Sequence, residues 1–492
     1  MRASVFLAAG LLSFHLSPTV CFTGPLPPPT SRCTQGRERT ASVYPLGSSV
    51  PRTQDAFAPV LETSAEESPE ESSHGSVLSN SALVAGNMVG AGVLALPAVT
   101  SAPGFILSSV AMTVVWGYSL ASGMLVAECA GEGRNSVQEM AEASVGKTAG
   151  NIMCAAFLAS NYLLMVAYIS QGSSLLPMQS LAVCFPAVTS CINNFHLAPL
   201  LFTSVVGCTS LWGPARFVEV ANTTLVGLIA VSFIGLMAIG APHVDVMSLE
   251  LTPDASSLPA MLPVAVCALT FQNVVPAVSK NLDGDVSKIK SSLAIGSGLP
   301  LIAYILWNAV VIGSTGSNSA DLGAVTSPMD ALAGTSPTLA FLVAIFSTSA
   351  IITSFWGAAF SLMIELTHMV EALVSSGSLW DTKGQFPMAD DARSIDEVAR
   401  HDQKVKIAAT GFVLVPPAVV CLAFPDSFLS ALQYVGIYVD PFMYGLAPAW
   451  MAYNLRSGAG HKPQIPGGTG SLVVIAAVTG MYAVWQTYLR MG

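Results

Sequence analysis

Eleven apolar runs fill the chain from about residue 77 onward, separated by polar connections. Their approximate limits are 77–101, 104–128, 149–171, 197–213, 217–241, 258–280, 293–313, 338–366, 406–424, 427–454 and 471–489. A helix needs roughly 20 apolar residues to cross a hydrocarbon core, and these runs have about that length. Inside a bilayer the backbone has no water to bond, so helices that satisfy their own amides are the fold open to such runs. Only 10% of the 492 residues are charged, against about 25% in an average soluble domain. The chain therefore reads as an all-α membrane protein of 11 transmembrane helices, with lipid as its main partner.

The basic residues support this layout. Of 19 Lys and Arg, five lie before the first span: Arg2, Arg32, Arg37, Arg39 and Arg52. Thirteen fall in alternate connections, at Arg134, Lys147, Arg216, Lys280, Lys288, Lys290, Lys383, Arg393, Arg400, Lys404, Lys406, Arg456 and Lys462. Only Arg490, near the far terminus, falls on the other face. Positive charge stays on the cytosol-like side of a membrane, so the basic connections and the amino terminus face inward. Residues 131–148 read as a short amphipathic helix on that inner face, and 375–405 as a polar inner connection.

The tail has its own logic. A short basic start and an apolar core over residues 1–21 form a secretory signal pattern, with cleavage expected before Phe22. Residues 22–75 are rich in Ser, Pro and Thr and lack helical or strand period, a composition expected to be disordered. Phe22 at the new terminus and Ala56-Phe57-Ala58-Pro59 downstream are similar to the bipartite presequences of algae with secondary plastids. A plastid envelope is the implied address, with a plasma or endomembrane as the alternative. The membrane region is then 76–492: helices 1–5 over about 77–241, helices 6–10 over about 258–454 and helix 11 over about 471–489.

Two spans break their own pattern. Span 1 contains Ala85-Gly86-Asn87-Met88-Val89-Gly90-Ala91-Gly92 and closes on Pro97. Glycine costs about 1 kcal/mol against alanine in a helix interior, and proline removes a donor. Span 6 carries Thr270-Phe271-Gln272-Asn273 at mid-depth, with Pro276 after it and Pro259 and Pro263 before it. Two amides in hydrocarbon are costly unless they face protein, water or a ligand. The interrupted spans lie five helices apart and enter from opposite sides, so they occupy matching places in two inverted halves. Matching interruptions are a pointer to a transporter's binding site.

The chemistry of such a break is specific. A new half-helix presents N–H groups with partial positive charge, which hold a carboxylate without a charged side chain. Carbonyls ending the other half can hold an ammonium or a cation. One break thus suits a zwitterion, and Gly86, Gly90 and Gly92 leave room for its approach. Gly86-x-x-x-Gly90 is also a helix-packing signature. The second break tips the balance towards a site.

The chain resembles the tryptophan/tyrosine permeases, the hydroxy and aromatic amino-acid branch of the amino acid–polyamine–organocation superfamily. The resemblance is carried by Gly86-x-x-x-Gly90-x-Gly92-x-Leu94-x-Leu96-Pro97, Leu125-Val126-Ala127-Glu128, Asn281-Leu282-x-Gly284-Asp285, Gly296-Ser297-x-x-Pro300-Leu301 and Gly445-Leu446-Ala447-Pro448. It covers residues 77 to 490 and implies a LeuT-like inverted five-helix repeat with broken helices 1 and 6. It also implies proton-coupled symport of aromatic amino acids, and substrate contacts along Gly86, Asn87, Met88, Gly90, Ala91 and Gly92 and along Thr270, Phe271, Gln272 and Asn273. Tyr162 in span 3 is a further expected contact, with ordinary packing as its alternative. The long presequence and Asp440 depart from the family's pattern.

Coupling to a proton needs a group that changes protonation during the cycle. Asp440, near the middle of span 10, is the leading candidate, because an acid at mid-membrane is functional by default. Glu128, at the inner end of span 2, is the second. Sodium is the alternative ion, and Ser347, Thr348, Ser349, Thr353 and Ser354 in span 8 would supply its oxygens.

No HExxH, GxSxG or Walker lysine occurs, and no His/Cys cluster has metal-ligand spacing, so the sequence points away from an enzyme and from any cofactor or metal site. The net charge of -10 lends no support to a nucleic-acid partner. Cys184 and Cys191 share one connection, as two thiols or as a disulfide. The sequence leaves the oligomeric state open.

Overall fold

The protein is described from a computed structural model covering residues 75–130, 134, 136–176, 197–249, 254–315, 328–376, 392–457 and 468–491. The expected signal and transit segments, Cys184 and Cys191 lie outside these residues.

The principal helices are α1 (Val77–Met88), α2 (Gly92–Thr100), α3 (Phe105–Cys129), α4 (Val137–Val145), α5 (Lys147–Ser174), α6 (Ala198–Trp212), α7 (Ala215–Gly240), α8 (Leu258–Ala268) and α9 (Val275–Asn281). They continue as α10 (Val286–Thr315), α11 (Pro328–Thr335), α12 (Pro337–Ser376), α13 (Ala392–Ala423), α14 (Phe428–Tyr434), α15 (Ala447–Arg456) and α16 (Gly468–Met491). The first span becomes α1 plus α2 and the sixth becomes α8 plus α9.

Among the described residues, eight helical stretches are long and apolar enough to cross a membrane, or nine when α1 and α2 count as one bent span. The two remaining runs expected from the sequence are helical but irregular. α6 is short and contains a π turn at Thr203–Gly207. The tenth run passes from α14 to α15 through two π segments, Val435–Val439 and Phe442–Leu446, with Asp440-Pro441 between them. Pro441 has no N–H to give the preceding turn, and a π segment is one way a helix absorbs such a mismatch.

Local chemistry sets the first helix. The Ser76 hydroxyl caps α1 by accepting from the Ser79 N–H at 3.1 Å. α1 then lies directly on α10, where a Cβ on Gly296 would come within 2.6 Å of the Ser81 carbonyl oxygen. Only glycine allows backbones this close. At the inner end, Asn281 at the close of α9 donates to Asn80 Oδ1 at 3.1 Å, and its carbonyl accepts from the Gly75 N–H at 3.1 Å.

Further out, Trp307 of α10, Phe346 of α12 and Phe233 of α7 form one aromatic cluster with ring centroids 5.6–6.1 Å apart. Trp307 also donates to the Val93 carbonyl at 3.2 Å, anchoring α2 to that cluster. α7 and α16 expose apolar residues such as Val231, Ile234, Val474 and Val484, as suits helices facing lipid. On the inner face, α4 is capped by Ser136 and buries Val137, Met140 and Ala141. The inner connection after α12 differs from the sequence expectation, because α13 begins at Ala392, well before residue 406.

Candidate functional site

The two interruptions stand side by side. α1 ends at Met88, α2 begins at Gly92, and the axis bends by 59° between them. α8 ends at Ala268, and helix resumes as a 3-10 turn at Gln272–Val274 leading into α9. On the outer side of both breaks the halves touch: a Cβ on Gly92 would lie 3.1 Å from the Ala268 Cβ. On the inner side Asn87 and Asn273 form a reciprocal amide pair, with N–O distances of 2.9 and 3.1 Å. Between these contacts the two non-helical segments, Met88–Ala91 and 269–272, run side by side.

Backbone groups there are only partly used. The Ala91 N–H donates to Ser354 Oγ of α12 at 2.9 Å, and Tyr304 of α10 donates to the Met88 carbonyl at 2.5 Å. The N–H groups of Gly90 and Gly92, and those of Gln272 and Asn273, have no acceptor among the described residues. Unpaired donors at the start of a half-helix are suited to an anion. Gly86 and Asn87 are exposed, and no atom lies within 4 Å of a Cβ placed on Gly86. Gly90 has less room, since its Cβ would approach Ser354 Oγ to 2.8 Å.

Not every residue named from the sequence faces these breaks. Thr270 bridges the second to span 10, donating to the Val266 carbonyl at 2.8 Å and lying 3.2 Å from Asp440 Oδ2. Phe271 is fully buried and turns towards α3, where a Cβ on Gly123 would meet its ring at 2.9 Å. Gln272 follows the same path, accepting from the Phe271 N–H at 2.8 Å and donating towards the Ser119 carbonyl at 3.3 Å. Tyr162 donates to the Phe412 carbonyl of α13 at 2.7 Å, so its hydroxyl joins α5 to α13.

The two acids sit differently. Asp440 is 5% exposed, lies between the π segments and faces the second break through Thr270. Glu128 is buried at the inner end of α3, paired in bidentate fashion with Arg456: Nε–Oε1 is 2.6 Å and Nη2–Oε2 2.7 Å. Arg456 also donates to the Gly468 carbonyl. Two features escaped the sequence reading: the Tyr304 bond to the Met88 carbonyl and the Arg456 partner of Glu128. Periodicity within a span carries no trace of partners hundreds of residues away.

The chain is 28% identical over 405 residues to the tyrosine-specific transport system 1 of Haemophilus influenzae, covering 80% of this chain and 92% of that protein. It is 28% identical over 419 residues to the tryptophan-specific transport protein of Pseudomonas aeruginosa, covering 81% and 91%. Its fold is similar to the crystal structure of MhsT in complex with L-phenylalanine, with a TM-score of 0.52 at 12% identity over 83% of this chain and 97% of that one. That likeness shows the LeuT-like helical fold which the family resemblance implied. The tryptophan/tyrosine permease family matches residues 73–376 and 392–486, and the chain belongs to that family.

Proposed function

We propose that this protein is a secondary active transporter that moves an aromatic amino acid, tryptophan or tyrosine, by alternating access with protons as the coupling ion. The observation that carries this reading is the pairing of two half-helix gaps, joined by Asn87–Asn273 on one side and by Gly92–Ala268 on the other. The free N–H groups of Gly90 and Gly92 suit the substrate's carboxylate, and carbonyls at the ends of α1 and α8 suit its ammonium. The relatives named for tyrosine-specific and tryptophan-specific transport support an aromatic side chain.

Asp440 is the proposed proton carrier, because it is buried, intramembrane and hydrogen-bonded to Thr270 at the second break. Glu128 is the weaker candidate, since its carboxylate is held by Arg456. A sodium-coupled cycle would instead draw on α12, whose Ser354 already reaches the first break. The presequence pattern of residues 1–75 supports a plastid envelope as the location, which a fluorescent fusion of that segment would test.

The functional test is a counterflow screen in proteoliposomes loaded with each amino acid in turn, with and without pH and sodium gradients. Saturable exchange of tryptophan or tyrosine, stimulated by the pH gradient alone, is expected. Exchange with no amino acid, or uptake that never saturates, overturns the reading.

A further inference from the structure

Arg490 stands apart in the sequence layout, which expects it, unlike the other basic residues, on the outer face. It lines a cavity of about 460 Å³ together with Phe424, Asp426, Ser427, Ser430 and Tyr434. Its surroundings are chemically mixed. Asp426 lines the same cavity, yet the two form no ion pair among the described residues. The Arg490 guanidinium lies 5.5 Å from the Tyr434 ring centroid, and Tyr434 stacks on Tyr438 at 6.0 Å. The Ser427 hydroxyl is buried and has no hydrogen-bond partner among the described residues beyond a weak approach by the Cys421 thiol. A cation, an anion and an aromatic ring thus share one opening, with the unsatisfied hydroxyl buried in its wall.

This opening is wired to the substrate path. Arg490 donates to Gln433 Oε1 at 2.8 Å, and Gln433 donates onward to the Ala260 carbonyl in α8 at 3.1 Å. Gln486, one turn before Arg490, donates to the neighbouring Pro259 carbonyl at 3.0 Å. α8 is the outer half of the second broken span, and the outer contact between the breaks is made at its last residue, Ala268. Tyr434 is six residues before Asp440, a rise of about 9 Å along one helix.

We infer that the cavity formed by Arg490, Asp426, Ser427 and Tyr434 is an outer docking site for a free aromatic amino acid, distinct from the gap between the breaks and feeding it. The inference rests on the proposed transport of such an amino acid. Arg490 takes the carboxylate, Asp426 the ammonium, and the Tyr434 ring the aromatic side chain. Engaging Arg490 competes with its bond to Gln433 and so reaches α8 through Ala260. A zwitterionic lipid headgroup offers the same pair of charges but no ring to set against Tyr434.

The test uses the full chain in vesicles of phosphatidylglycerol alone, whose headgroup carries no ammonium, and in vesicles with added phosphatidylethanolamine. Binding of tritiated L-tryptophan is counted, and uptake is measured separately from the outer and inner faces. The inference expects two binding sites in the wild type and one in Arg490→Gln and in Asp426→Asn, the same in both lipids. It also expects KM from the outer face to rise about tenfold, the size of one lost charge-assisted hydrogen bond, with kcat and inner-face KM unchanged. Arg490→Lys, which keeps the charge but not the planar fork, should show a smaller rise. A wild type that transports while binding a single tryptophan overturns the docking site alone. So does an equal loss of kcat on both faces, which marks Arg490 as a structural prop. Loss of the second tryptophan in phosphatidylethanolamine vesicles gives the cavity to a headgroup and also overturns it. A wild type that moves no amino acid removes the transport reading beneath it.

Discussion

Gly92→Ala tests the outer contact between the two broken spans. The added Cβ would stand 3.1 Å from the Ala268 Cβ and 3.2 Å from its Cα. Carbon atoms rest at about 3.5–4.0 Å, and neither atom of Ala268 is the free end of a flexible side chain. α2 and α8 would have to part by about 0.5 Å, a shift the Trp307 bond to the Val93 carbonyl resists. Overpacking of this kind costs about 1–3 kcal/mol. That cost falls only on the form in which the outer halves touch, so the balance moves towards the outward-open form by about 5- to 150-fold. The assay keeps Cys267 as the sole cysteine and follows its labelling by an impermeant thiol reagent from the outer face. Cys267 adjoins Ala268 and is half-buried here. Labelling should speed up within that range, and Ala268→Gly in the same chain should return part of the change. An unchanged rate in Gly92→Ala would refute the idea that this contact closes the outer side.

Other substitutions probe other parts of the framework. Glu128→Gln leaves Arg456 buried without its partner, and should destabilise the protein by about 3–5 kcal/mol, read as a lower melting temperature in detergent. Replacing Arg456 by Met as well should recover much of that loss. Phe271→Ala opens a cavity against Gly123 and should cost about 3–5 kcal/mol in stability while leaving KM for tryptophan nearly unchanged; a large KM rise would place the ring in the substrate path. Gly86→Leu has room to fold and insert normally, because nothing surrounds a Cβ there, but it should block transport; near-normal transport would mean that no substrate passes Gly86.

Much of this fold is written in the sequence, because lipid imposes length and polarity limits that hydropathy and basic residues report directly. The breaks were legible for a related reason: glycine and proline at Gly86–Pro97, and two amides at Gln272-Asn273, have no economical place in an unbroken span. Side-chain direction inside the breaks was not legible. Outside regular helix the 3.6-residue period no longer fixes which way a residue points, so Asn273 turns to Asn87 while Phe271, two residues earlier, turns to Gly123. The pairing of Glu128 was not legible, because its partner, Arg456, lies 328 residues away in the chain. The π segments around Asp440 had a visible cause in Pro441, but the register they create depends on how the second of them packs against α3, where Ser122 donates to the Tyr444 carbonyl.

The most direct measurement is uptake of tryptophan and tyrosine into proteoliposomes under an imposed pH step, comparing the wild type with Asp440→Asn. The wild type should accumulate one or both amino acids above equilibrium and lose the excess when the pH gradient is collapsed. Asp440→Asn should still exchange substrate across the membrane at equal pH yet fail to accumulate it. Accumulation by Asp440→Asn equal to that of the wild type would contradict the placing of the proton at the second break. The absence of any uptake by the wild type would contradict the transport reading itself.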